Sequence, residues 1–433
     1  MGFTSVANSF DLDAFNQNPA NILNQRANNN ALLYFNIATS GGIMTSSSYL
    51  SIDFYNDYFT KDANGNTRFL TEQDKSTILS EAGNEISSYL GSVKLLSVIY
   101  NMQNTGTIGI SLDEWSSGNF IPSQGFLELG LYGNQRNETY DISESEVNAY
   151  WIRQLNFSFA KSLSLKTNKM FDKVSFGVSV KPQFGIYYLN TENNNLSVAT
   201  NDSNVINSSG TMEFLYAGLT DDNDFKYSAG NAGFGFGFDA GVNARLKNFS
   251  RHGNLNIGLS LTDIGYINWT KNTFNYFYDG NYVITDITQK EQRDSLKDII
   301  KGSKTPTSDF SVGLPATLRL GVSFQLFKNA KRDSTTLEEA TFSLDYIQGF
   351  NNNYGATTTP VIGLGFEYNL SKVVSPRLGF GFGGNDNFAM SIGLGIDTGP
   401  VLIDIGTYNI TTIFEPEGTT KYSAGLNIKF KVN

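Results

Sequence analysis

The chain has 433 residues, 40% hydrophobic and 17% charged, with a mean hydropathy of -0.24 and a net charge of -10. That length allows one large barrel or about two to three soluble domains. No stretch reaches the ~18 uncharged apolar residues of a transmembrane helix, the negative charge argues against nucleic acid as a partner, and the lack of cysteine excludes disulfides, thiolate metal sites and cysteine nucleophiles.

Glycine (42), phenylalanine (33) and tyrosine (22) are abundant against this low charge, the usual profile of an outer-membrane barrel. The start, Met1-Gly2-Phe3-Thr4, lacks the basic and apolar regions of a secretory signal. Val6 stands where myristoylation requires Ser or Thr. The chain is therefore expected to be a mature form with its export signal removed. Residues 1–30 show no strand pattern and are rich in small polar and apolar groups.

From there the pattern alternates with a period of two. Candidate strands run at 31–40, 93–101, 106–113, 150–165, 173–188, 232–247, 254–264, 315–327, 340–349, 359–370, 376–384, 387–397, 400–409 and 421–432, fourteen in all. The segment Phe126-Leu127-Glu128-Leu129 is a further strand candidate. The last hundred residues are the clearest. Met390, Ile392, Leu394 and Ile396 alternate with Ser391, Gly393, Gly395 and Asp397. A large apolar face opposite a small polar face, repeated on strand after strand, suits a barrel standing in lipid.

The connections alternate in length. With the last strand ending in the periplasm, the periplasmic turns 102–105, 166–172, 248–253, 328–339, 371–375 and 398–399 are short. Most on the other side are long: 41–92, 114–149, 189–231 and 265–314 are the extracellular loops. Lysine and arginine collect in the turns (Lys166, Lys169, Lys247, Arg251, Lys328, Lys331, Arg332, Lys372), and acidic clusters such as Asp221 to Asp224 in the loops. Thr71-Glu72-Gln73-Asp74 predicts a capped helix start for a segment running to Leu90, and Gln289 to Ile300 reads as a short amphipathic helix. Both read as lids on the rim or as partner-binding helices.

If the apolar residues face lipid, their neighbours face the lumen. Counting places Lys181, Asp239, Arg245, Arg319, Asp345, Glu367, Arg377 and Asp404 inside, with Asp397. Such charges must be hydrated in a channel or paired in a closed lumen. Wall glycines let another backbone approach, and residues 1–30 are the obvious occupant. The expectation is an all-β transmembrane antiparallel barrel over 31–433 with 1–30 as a plug.

Phe15-Asn16-Gln17-Asn18-Pro19-Ala20 carries an Asn-Pro-Ala triplet near the N-terminus. With the strand pattern behind it, the chain resembles the FadL-like superfamily of outer-membrane barrels. Three further segments are similar to an uncharacterised Bacteroidetes branch: Phe54-Tyr55-Asn56-Asp57-Tyr58-Phe59, Asp263-Ile264-Gly265-Tyr266-Ile267-Asn268-Trp269 and Leu314-Pro315-Ala316-Thr317-Leu318-Arg319. The resemblance implies fourteen strands, an internal hatch carrying Asn18, Pro19 and Ala20, and periplasmic termini. It also implies passage of a hydrophobic solute, with outer-membrane lipid and lipopolysaccharide around the barrel. Two functions stand open: passive solute transport gated by the hatch, or a closed accessory subunit bound to other outer-membrane or periplasmic proteins. The same setting implies O-glycosylation at Ser295 and Ser334.

Phe274, Tyr276, Phe277, Tyr278 and Tyr282 form either a ligand groove or an interfacial belt. The single histidine, His252, lies in a turn with no second histidine and no cysteine to accompany it, so no catalytic site, metal or cofactor is expected. A calcium loop at Asp221 to Asp224 stays open.

Overall fold

Strict alternation of large apolar and small residues lets one sheet bury its polar face and expose its greasy one. A computed structural model describes residues 2–24, 31–61, 65–66, 68–102, 105–165, 170–218, 232–246, 249–285, 302–327, 338–353 and 355–432. Fourteen long strands form one antiparallel ring in chain order. They are β1 (Leu33–Ser47), β2 (Ser87–Asn101), β3 (Thr107–Ile121), β4 (Glu146–Ser164), β5 (Phe171–Asn194), β6 (Gly233–Leu246) and β7 (Gly253–Trp269). The ring continues through β8 (Thr317–Phe327), β9 (Glu338–Gly349), β10 (Val361–Tyr368), β11 (Val374–Gly383), β12 (Phe388–Asp397), β13 (Val401–Thr407) and β14 (Lys421–Val432). Closure is made by β1, which pairs with β2 on one side and with β14 on the other, Leu33 lying opposite Val432. An even number of strands lets the first and last meet antiparallel, so no edge is left unpaired.

The outer face is apolar on every side. Phe157, Phe176, Phe234, Phe236, Phe238, Leu259, Val322, Phe342, Leu364 and Leu426 are all exposed. A continuous belt of this kind has no stable place in water and marks a surface that lipid covers. No described helix is long and apolar enough to cross a membrane. Toward the long-loop end the belt turns amphipathic: Tyr89, Trp151, Tyr187 and Tyr266 stand outward, and the Trp151 indole donates to Glu114 at 3.2 Å.

Several expected boundaries shift. The strands β1 to β5 and β7 run further into the loop end than their apolar alternation, because backbone pairing continues above the lipid where side chains need not be apolar. The helix starting after Thr71 ends at Ala82, and Leu90 belongs to β2. Gly83 closes it, its N–H bonding to the Leu79 carbonyl. The strand expected at Phe126–Leu129 is instead a helix, Gln124–Tyr132, capped by the Ser123 hydroxyl. A further helix, Ile52–Phe59, was not expected. The loops also hold a small four-stranded sheet of 139–141, 197–200, 206–209 and 282–284. The predicted helix at Gln289 to Ile300, the acidic run Asp221 to Asp224, Ser295, Ser334 and the basic residues Lys166, Lys169, Lys247, Lys328, Lys331 and Arg332 lie outside the described residues.

Residues 2–24 take no part in the ring. They form two short 3-10 turns, Asp11–Ala14 and Pro19–Leu23. Leu12, Ala14, Phe15 and Ile22 pack on the inward-facing Tyr34 of β1, Ile99 of β2, Ala160 of β4 and Leu402 of β13.

Candidate functional site in the barrel lumen

The Asn-Pro-Ala triplet builds its own turn. Proline, lacking an N–H, suits the first position of a helix, and the Asn18 side chain caps it by accepting from the Ala20 N–H at 3.1 Å. Asn18 is fully buried, and its amide donates to the carbonyls of Val6 (2.9 Å) and Val242 on β6 (3.2 Å). The triplet thus ties one end of the segment to the other and both to the wall. Glycines make the room. A Cβ on Gly177 would lie 2.2 Å from the Pro19 carbonyl carbon, and one on Gly241 2.0 Å from the Asn18 Oδ1. On β7 and β10, Gly258 and Gly363 meet the carbonyls of Val6 and Phe3 in the same way.

Polar side chains of the wall bind the same segment. Asp345 accepts from the backbone N–H groups of Ser5 (2.6 Å) and Val6 (2.9 Å). Asn243 donates to the Ala7 carbonyl at 3.1 Å and to Asn21 at 2.8 Å. Asn8 donates to Ser343 at 2.9 Å, and Gln154 to Asn16 at 2.8 Å. Lys429 of β14 places its ammonium 3.1 Å from Asp11 and 2.6 Å from Asp13. The charges expected in the lumen are thereby sorted. Lys181 bridges Asp239 (2.6 Å) and Asp263 (2.8 Å), while Arg377 bridges Glu367 (2.5 Å) and Asp404 (2.6 Å). Lys431 pairs with Asp397 at 2.9 Å. Arg245 reaches Asn256 at 3.4 Å, and Arg319 is half-buried with its Nε unpaired among the described residues.

Some partners were not singled out by alternation. Asp263 sits at a bulge, with φ 58° and the β6–β7 register shifting between Phe238 and Ala240, so its carboxylate turns to Lys181. Lys429 and Asp113 do follow the inward parity of their strands, and parity was the signal available for them.

Toward the loop end the lumen becomes apolar. Tyr150, Ile152, Tyr188, Ile267, Trp269 and Leu314 form a buried cluster on which Trp115 packs. Trp269 is fully buried, its ring seated on Gly185 and Gly233. The loop aromatics divide between full and partial burial. Phe274 is buried against the Tyr216 ring at 5.4 Å, while Tyr276, Phe277 and Tyr278 are half-buried on one short strand. Between the N-terminal segment and β2–β3 lies a cavity of about 160 Å³, lined by Phe15, Asn16, Lys94, Asp113 and Trp115 among others. Among the described residues there is no cluster of three or more His, Cys, Asp or Glu placed to hold a metal.

The sequence of residues 19–401 matches the model of a family of unknown function, DUF5723. The chain belongs to that family. The match begins at the Pro19 of the triplet and runs into β13, so this DUF5723 protein carries the family pattern over nearly all of its ring. No curated protein matches it by sequence. Solved structures similar to the DUF5723 chain are barrels of outer-membrane proteins. A TodX monoaromatic hydrocarbon channel, in a deletion-mutant form, is 12% identical, with TM-score 0.48 over 99% of this chain and 95% of its own. A FadL homologue of Pseudomonas aeruginosa is 11% identical, with TM-score 0.45 over 100% and 97%. The translocator domain of the Neisseria meningitidis autotransporter NalP is 7% identical, with TM-score 0.37 over 93% and 90%.

Proposed function

We propose that this DUF5723 protein is a FadL-like outer-membrane channel for a small or hydrophobic solute, with residues 1–30 as the hatch. The setting is a Gram-negative, Bacteroidetes-type outer membrane with the termini in the periplasm and lipid and lipopolysaccharide against the belt. One observation carries the reading. An apolar cluster around Trp269 meets Trp115, and Trp115 lines a cavity that ends on the N-terminal segment. A solute entering from the loop end would thus pass from aromatic side chains to a segment that, among the described residues, shares no backbone–backbone hydrogen bond with the sheet. The hatch can therefore move without breaking the barrel's backbone pairing. The reading assigns no catalysis.

The buried pairing of Lys429 with Asp11 favours a second reading, a permanently closed accessory subunit of a larger assembly. A cross-link divides the two. Asn8 and Ser343 are in contact, and the chain has no cysteine, so the pair Asn8→Cys and Ser343→Cys can staple the hatch to β9. Solute flux into proteoliposomes should fall on oxidation and return on reduction. Flux that ignores the staple would remove the hatch as gate, and no flux from any form would favour the closed subunit.

A further inference from the structure

The helix Ile52–Phe59 buries only part of its apolar surface. Its cap is the Ser51 hydroxyl, which accepts from the Phe54 N–H at 3.0 Å. Phe54 is buried, and its ring meets those of Tyr49 and Tyr58 edge-on at 5.6 and 5.0 Å. Ile52, Tyr55 and Phe59, spaced three and four apart, share the adjoining face and are 43%, 53% and 51% exposed. The rings of Tyr55 and Phe59 stack at 6.3 Å. Asp53, Asn56 and Asp57 occupy the remaining side. The turn 411–418 lies alongside, the Asp53 N–H donating to the Glu417 carbonyl at 2.9 Å, and it adds the exposed Ile413 and Phe414.

The start of this helix stands on the outside of the barrel. Tyr422 shares the outward parity of Ala424 and Leu426 on β14, and its hydroxyl accepts from the Ile52 N–H at 3.3 Å and donates to the Pro416 carbonyl at 2.8 Å. Ser47 shares the outward parity of Ile43 on β1, yet it is buried, because the chain turns back over it and the Tyr49 and Leu50 N–H groups donate to its hydroxyl. The register sets the height. Thr45 lies opposite Tyr422 on one side and Tyr89 on the other, so the helix starts level with the amphipathic belt. Toward the turn end, Ile43 and Leu426 on the same two strands belong to the apolar belt.

We infer that this helix is an interfacial anchor: Ile52, Tyr55 and Phe59, with Ile413 and Phe414, enter the headgroup–acyl boundary of the leaflet on the loop side, over the seam where β1 meets β14. The occupant is lipid, because the uncovered face continues the belt that lipid already covers. The division of the helix surface agrees. One apolar side rests on protein, the adjoining apolar side is uncovered, and the third side is acidic, which suits a corner between barrel wall, bilayer and water. The anchor does not depend on whether the lumen conducts.

The test is depth-dependent fluorescence quenching of the full chain in phosphatidylcholine vesicles. The chain has no cysteine, so Tyr55→Cys, Phe59→Cys and Asp57→Cys each place a single environment-sensitive NBD label. Lipids spin-labelled near the headgroup should quench the labels at 55 and 59 at least about twofold more than the label at 57, as suits side chains about 5–10 Å into the boundary. Lipids spin-labelled near the chain end should quench them less, and aqueous iodide should quench the label at 57 most. Heat-modifiable gel migration reports whether a variant folds, and either apolar position carries the test alone if the other does not. Equal lipid quenching at all three positions, or iodide reaching 55 and 59 as readily as 57, would overturn the anchor. Labels at 55 and 59 shielded from both quenchers would also overturn it, since a protein surface, such as a second copy of the chain, would then cover the face.

Discussion

At the residue scale, Lys429 and Gly241 do opposite work in seating the N-terminal segment. Lys429 supplies the charge that lets Asp11 be buried: both side chains are under 5% exposed, whereas Asp13 is 39% exposed and partly screened. Removing one partner of a buried pair leaves an uncompensated charge, so Lys429→Met should loosen the seat by about 3 kcal/mol. Limited proteolysis would read this as faster cleavage within 2–24, with the ring still resistant; unchanged cleavage would mean the pair does not hold the segment. Gly241 contributes by having no side chain. A Cβ there would overlap Asn18 Oδ1 and stand 2.9 Å from Pro19 Cδ. Gly241→Ala should therefore cost about 1–3 kcal/mol of seating by overpacking. Deuterium uptake should rise in 14–24 and stay unchanged in β6, and equal protection in both proteins would contradict the tight fit. The triplet was legible as a short motif near the N-terminus, though not as the turn it forms. Its contact with Gly177 and Gly241 was not, since nothing in a strand's own residues says which glycine a distant backbone will press upon.

At the element scale, the strands answer to lipid and the loop helices to their caps. Phe236 and Leu394 lie on the outer face, so arginine at either should impair assembly by about 2–4 kcal/mol near the bilayer midplane. Urea titration of folding into vesicles measures it. Equal tolerance of Gly237→Ser on the lumen side and Phe236→Arg on the lipid side would be incompatible with this orientation. The Glu72–Ala82 helix shows a pH effect. The Thr71 N–H donating to the Asp74 carboxylate at 2.8 Å holds that carboxyl below its ordinary 3.8. Because the folded value is depressed, the cap contributes at neutral pH and is lost as pH falls through that lowered value. The Cα chemical shifts of 72–82 should move toward coil in strong acid, and in Asp74→Asn, which has no carboxyl to titrate, this pH response should be lost; identical acid responses in the two would dismiss the Asp74 cap. The capping box was readable from sequence because it is local. The helix at Gln124–Tyr132 was misread because Phe126-Leu127-Glu128-Leu129 suits a strand as well as a helix, and the Ser123 cap decided between them.

At the scale of the whole molecule, a ring of fourteen strands is wide enough to need a plug or to leak. Here the N-terminal segment, the ion pairs of Lys181, Arg377 and Lys429, and the Trp269 cluster share the space. Deleting residues 2–24 should leave an assembled barrel with raised bilayer conductance, since the ring closes through β1 and β14 without them. A deletion protein that assembles and conducts no better than the intact chain would show that the loop-end cluster alone seals the lumen. Period-two alternation by itself pointed to a barrel with an apolar outer face, because parity along one strand separates its two faces, and the number of alternating segments matched the fourteen strands of the ring. Only the tertiary structure decided which charges meet, that Asp263 turns inward at a bulge, and that Asp113 and Trp115 line a cavity beside the N-terminal segment. Those facts depend on register between strands and on the path of residues 2–24 across the lumen, contacts between residues hundreds of positions apart that no local pattern encodes.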